Sequence, residues 1–119
     1  FLDFVLIMKV CTNIIDNAIT YSPITKELTL AVVIKDSFAE IHFSDRGIGI
    51  PPCDLKRVFD AFYRIQRSQG HEGTGLGLAI CKGIVEAHHG SIWAENREQG
   101  GAIIKIKLPL PPAQRENHE

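Results

Sequence analysis

Leu28-Thr29-Leu30-Ala31-Val32-Val33-Ile34, then Lys35-Asp36-Ser37, then Glu40-Ile41-His42-Phe43-Ser44-Asp45: this stretch decides the fold. Leu28, Leu30, Val32 and Ile34 alternate with Thr29, Ala31, Val33 and Lys35, the two-residue period of a strand. Ile41 and Phe43 alternate with Glu40, His42 and Ser44, so a second strand runs up to Asp45 and pairs with the first across the polar Lys35-Asp36-Ser37 turn.

Upstream, from Asp3 to Tyr21, Leu6, Val10, Ile14 and Ala18 fall four apart, with Cys11 and Ile15 beside them, the period of a helix burying one face. Asp3 can cap its start, and Ser22-Pro23 ends it, because proline disfavours helical geometry in the preceding residue. Downstream, residues 46–73 hold glycines, the pair Pro51-Pro52, one short helical piece around Asp54 to Phe62 and the polar run Gln66 to Glu72. A loop of that length in a small domain is a functional suspect before any motif is named. Thr74 to His88 predicts a second long helix, with Leu76, Ile80, Ile84 and Ala87 on one side and Gly90 as its stop. Ser91 to Glu95 and Ile103 to Leu108 give two more strands, joined by the Asn96 to Gly101 turn, where Gln99-Gly100-Gly101 can take left-handed geometry. The order helix, strand, strand, lid, helix, strand, strand does not alternate as a doubly wound sheet does. It predicts an α/β (α+β) two-layer sandwich, with helices over one face of a mixed sheet and a pocket between helix layer and lid.

The 119 residues fit one domain, residues 1–110, followed by a polar, aperiodic tail over 111–119 that we expect to be flexible. A 45% hydrophobic and 23% charged composition is that of a folding chain. The net charge of −1 supplies no positive field to draw nucleic acid phosphates or anionic lipid, so neither is an expected partner. Cys11, Cys53 and Cys81 are odd in number and show no CxxC spacing, which argues against a disulfide framework and a zinc site and suits a reducing, cytoplasmic compartment. The apolar run Phe4 to Met8 is too short to span a bilayer, although the parent protein can be membrane-anchored.

Three segments carry chemistry. Asn13 and Asn17, four apart, project from one side of the first helix. Either their amide oxygens serve a hard cation such as magnesium, or both satisfy local hydrogen bonds. Asp45-Arg46-Gly47-Ile48-Gly49-Ile50 places a carboxylate at a strand end before two glycines. That pattern can accept an exocyclic amine and let backbone approach a flat ligand, or it can be an ordinary turn. Gly73-Thr74-Gly75-Leu76-Gly77-Leu78 opens a helix, where unpaired amides and the helix dipole favour phosphate. No Gly-Lys-Ser/Thr follows and no buried strand precedes it, which removes the P-loop and dinucleotide-fold readings.

Taken in order, NxxxNA, DxGxGIP, FxxFxR and GTGLGLAI resemble the N, G1, F and G2 boxes of sensor histidine kinase catalytic domains, of the GHKL ATPase group, over about Asp3 to Pro109. The stretch from Gly73 through Pro109 looks most like the potassium-responsive sensor kinases of the Kdp type. The resemblance implies a Bergerat-type fold, a mixed sheet of about five strands under about three helices. It also implies ATP and magnesium as cofactors, with Asn17 as the metal ligand. Asp45 becomes the partner of the adenine amine, Gly47 and Gly49 the floor of the base, and Tyr21 a ring beside it. Gly73, Thr74, Gly75, Leu76 and Gly77 run along the phosphates. Phe59 and Phe62 anchor the lid or are plain core, and Arg64 meets phosphate charge or is a solvated lid residue. Asn13 stands where hydrolysing relatives carry a glutamate base, and an amide cannot do that work. Such a site suits phosphoryl delivery to a histidine on a separate dimerisation and phosphoacceptor domain of the same parent, then to a response regulator. Thr20 stands where the family usually has lysine, so a nucleotide-binding regulatory module with a decayed site is the alternative, and a GHKL-type ATPase a third. His42, His88 and His89 read as structural or solvent-facing.

Overall fold

The computed structural model describes residues 3–20, 28–46, 49–60, 77–98 and 100–110, and for 17–20 the backbone alone. Helix α1 spans Phe4–Thr20. Asp3 caps it as expected: its Oδ1 accepts the amides of Val5 at 3.0 Å and Leu6 at 3.2 Å, a cap worth about 1 kcal/mol. Val10 and Ile14 are its fully buried residues, with Ile7, Cys11 and Ile15 packed at the margin.

Strands β1 (Leu28–Ile34) and β2 (Phe38–Asp45) form the expected antiparallel hairpin, registered from Leu28 opposite Asp45 to Ile34 opposite Ala39. A short 3-10 turn covers Pro52–Asp54 and leads to buried Val58 and Phe59. Helix α2 spans Gly77–Ala87, and strands β3 (Ser91–Asn96) and β4 (Ala102–Pro109) follow it. The sheet order is β1-β2-β4-β3. The α+β two-layer class therefore stands, while among the described residues the sheet has four strands with every neighbouring pair antiparallel, and the helix layer has two helices.

Central strand β4 shows the cleanest sidedness: Ala102, Ile104, Ile106 and Leu108 are buried and Ile103, Lys105 and Lys107 are not. Its inner face meets Val10, Ile14, Phe43, Val58, Phe59, Cys81 and Val85 in one core. Edge strand β1 differs from expectation. Its alternation predicts one buried face, yet Leu30, Val32, Val33 and Ile34 are all exposed, Ile34 to 69%. Helix α2 packs towards β3, at the opposite edge of the sheet, and α1 touches β1 only slightly, so among the described residues β1 gains little cover from either helix.

Helix α2 ends in a two-bond C-cap in which Gly90 N–H donates to the Val85 carbonyl at 2.9 Å and His89 N–H to that of Glu86 at 3.0 Å. The left-handed residue is His89, at φ 65°, and not Gly90. Gly90 is required for another reason, since a Cβ there would stand 2.3 Å from the Lys107 carbonyl oxygen. Among the described residues no helix is long and apolar enough to cross a membrane.

Candidate functional site

Asp45 is the last residue of β2, and its Oδ1 accepts the Ala102 amide at 3.1 Å, where β4 begins. Its carbonyl accepts Arg97 Nη1 at 3.1 Å, and the same nitrogen donates to the Gly100 carbonyl at 3.2 Å. The β3–β4 turn thus holds both the carboxylate and the backbone of Asp45. Gly101, at φ 92°, lies so near that a Cβ on it would stand 2.1 Å from the Asp45 carbonyl oxygen. Gly100 and Gly101 take the left-handed geometry expected of this turn.

Gly49 has φ 84°, a conformation that favours glycine. Next to it, the Asn96 carboxamide accepts the Ile50 amide at 2.8 Å and donates to the Ile50 carbonyl at 2.7 Å. Gly49, Ile50, Pro51, Pro52, Asn96, Arg97, Gly100 and Gly101 line an open depression of about 350 Å³.

On the helical layer, Cys81 Sγ donates to the Val10 carbonyl at 3.6 Å. Burial pushes the Cys81 thiol up to about 11, and a hydrogen bond from Asn13 pulls the other way. Asn13 therefore faces α2. His88, near the end of α2, accepts the amide of Asp3, at the start of α1, at 3.1 Å. Asp3 beside His88 and Asn13 beside Cys81 make the helices antiparallel, so the backbone of Asn17, one turn past Asn13, comes level with Gly77, one turn before Cys81. Gly77 is exposed, no atom of the described residues lies within 4 Å of where a Cβ would go, and the first turn of α2 carries no acidic residue.

The two layers share an orientation. Gly90, just past the end of α2, lies against Lys107 and Leu108, and Lys107 pairs with Glu40, at the sheet end opposite Asp45. Helix α2 therefore begins towards the Asp45 end, where Leu28 and the β3–β4 turn also lie. Of the sequence-derived candidates, Asp45 and Gly49 lie beside the β3–β4 turn, and Gly77 opens the helix that begins towards that end of the sheet, level with the backbone of Asn17. Asn13 sits within the helix–helix contact, and Phe59, 6% exposed, belongs to the core. Tyr21, Gly47, Phe62, Arg64, Gly73, Thr74, Gly75, Leu76 and the Asn17 side chain lie outside the described residues. Sequence reasoning missed Asn96 and Arg97. The available signal was that Asn96 continues the alternation of Ile92 and Ala94, which puts a polar side chain on the core-bearing face of β3, where it calls for a partner.

The sequence profile of the family described as histidine kinase-, DNA gyrase B- and HSP90-like ATPase matches residues 3–112. The chain belongs to this ATPase family. Among members of this ATPase family that are sensor kinases, it is 41% identical over 115 residues to the sensor histidine kinase WalK of Bacillus subtilis (strain 168), covering 93% of this chain and 19% of WalK. It is 42% identical over 105 residues to the sensor protein SrrB of Staphylococcus aureus, covering 87% of this chain and 18% of SrrB. The chain thus spans under a fifth of these relatives. The mycobacterial sensor histidine kinase MprB superposes with a TM-score of 0.83 at 31% identity, covering 92% of this chain and 75% of that one. Such likeness supports the ATP-binding histidine kinase catalytic domain as this chain's place within the ATPase family.

Proposed function

We propose that this chain binds magnesium-ATP and delivers the γ-phosphoryl group to a histidine on a separate dimerisation and phosphoacceptor domain of a longer cytoplasmic or membrane-anchored sensor kinase, from which it passes to a response-regulator aspartate. The observation that carries the reading is the Asp45 carboxylate, held by the Ala102 amide beside positive-φ Gly49, at the end of the sheet towards which α2 opens.

The residues present fit the nucleotide. The Asp45 carboxylate, aimed by a fixed backbone partner, is of the chemistry that suits an exocyclic adenine amine, and Gly47, Gly49 and Tyr21 are assigned to the base by the family likeness. The first turn of α2, which carries no acidic side chain and follows Gly73, Thr74, Gly75 and Leu76 in sequence, suits phosphate as a helix N-terminus does. Magnesium fits the donor chemistry at Asn17, whose amide oxygen is a hard ligand and whose backbone is level with that helix start. When bound, the ion neutralises charge on the phosphates. Arg64 and Phe62 are assigned to the lid, the first meeting phosphate charge and the second packing. Asn13, an amide already engaged with Cys81, has no means to activate water, which favours transfer over hydrolysis.

Isothermal titration of the chain with a non-hydrolysable ATP analogue and magnesium tests the reading. Binding in the micromolar to millimolar range is expected. Failure to bind at millimolar nucleotide overturns it, and steady phosphate release by the chain alone would replace transfer with hydrolysis.

A further inference from the structure

The loop between Asp45 and Ile50 is tied to the β3–β4 turn at both of its ends. At one end Arg97 and Ala102 hold the Asp45 backbone and carboxylate. At the other, the Asn96 carboxamide closes a ring of two hydrogen bonds with the backbone of Ile50, 46 residues away in sequence. A carboxamide paired this way copies the donor and acceptor of a neighbouring strand, so it satisfies both main-chain groups of a residue outside any ladder. The fit is close: a Cβ at position 49 would come within 2.9 Å of Asn96 Oδ1. Gly49 and Asn96 are thus a matched pair, the glycine admitting the amide and the amide fixing the residue after the glycine. Ile50 in turn packs against the core, which anchors the clamp to the body of the domain.

We propose that Asn96 is a positioning residue for base recognition, its carboxamide holding the loop so that the Asp45 carboxylate and the Gly49 backbone keep one spacing. The inference rests on the nucleotide-site reading above and adds a residue to it. Its chemistry makes it selective. A carboxylate at fixed position accepts the exocyclic amine of adenine and repels the carbonyl that guanine presents there, so loosening the loop costs discrimination between bases more than it costs phosphate binding.

The test is made on the full chain with Asn96→Ala and with Asn96→Asp, which is close to isosteric and keeps the acceptor for the Ile50 amide while placing an oxygen against the Ile50 carbonyl. Three quantities are measured: amide exchange at Gly49 and Ile50 without nucleotide, the affinity for ADP and for GDP, and the affinity for inorganic tripolyphosphate. Faster loop exchange, ADP binding weakened about fivefold or more, a smaller ADP-to-GDP preference and unchanged tripolyphosphate binding are expected for both variants. A general loss of structure would weaken all three ligands alike and leave the preference intact, which overturns the proposal, as does faster exchange with ADP binding unchanged. Should the unmodified chain bind tripolyphosphate and neither nucleotide, the adenine-site reading itself fails, an outcome separate from a chain that binds ADP equally well with and without the carboxamide.

Discussion

His88 Nε2 accepts the backbone N–H of Asp3 at 3.1 Å while Nδ1 lies 2.8 Å from the Ile84 carbonyl. The first contact requires an unprotonated Nε2, so Nδ1 carries the proton and donates to Ile84. One imidazole, 9% exposed, therefore pins the start of α1 to the last turn of α2. His88→Ala leaves the Asp3 amide without this acceptor and opens a gap between the helix ends. A loss of about 1–3 kcal/mol in urea unfolding is expected; a loss within experimental error would show that the contact contributes nothing.

Two glycines of the α2 region should respond in opposite directions. Gly90→Ala forces a Cβ to within 2.3 Å of the Lys107 carbonyl, backbone that cannot give way without disturbing β4, so destabilisation by about 1–3 kcal/mol is expected. Gly83 is exposed inside α2, and among the described residues no atom outside its own helix backbone lies within 4 Å of where its Cβ would stand. Gly83→Ala should stabilise by about 0.5–1 kcal/mol through helix propensity. Thermal unfolding of both variants side by side checks the contrast.

Cys81 links thiol chemistry to folding. Burial raises it from 9.0 to about 11, so the folded state keeps a proton that the unfolded chain releases earlier. The resulting contribution is fully present below pH 9 and is lost as pH rises through about 11. Denaturation midpoints should fall across that window in the unmodified chain and fall less in Cys81→Ala. Alkylation of the folded chain at neutral pH should label exposed Cys53 well before buried Cys81.

Asp45→Asn probes recognition directly. The carboxamide oxygen can still accept the Ala102 amide, so the thermal midpoint should change little. Replacing a charged acceptor by a neutral one should weaken binding of an ATP analogue about tenfold or more. Equal affinity for the two proteins would remove Asp45 from base recognition.

Periodicity made the elements legible. The alternation from Leu28 to Lys35 marked a strand, found over Leu28–Ile34, and Asp3 caps α1 as its side chain suggests, because these depend on local sterics and short-range hydrogen bonds. The burial of β1 was not legible. Alternation records which residues share a face, whereas cover depends on where the helices come to lie. At α2 the stop was read at Gly90, yet histidine takes the left-handed position and the glycine answers to a strand that arrives later in the chain. The same limit hid the Asn96 clamp: Asp45 and the glycines announce themselves by spacing, while a side chain that holds Ile50 from 46 residues away shows only once the sheet is assembled.

The rim strand β1, apolar on both sides and poorly covered, has a practical consequence. Among the described residues no strand lies beyond β1, and an edge flanked by Leu30, Val32 and Ile34 is a template on which identical molecules can stack. Charged replacements on this rim are therefore the first change to make where the chain clumps at high concentration.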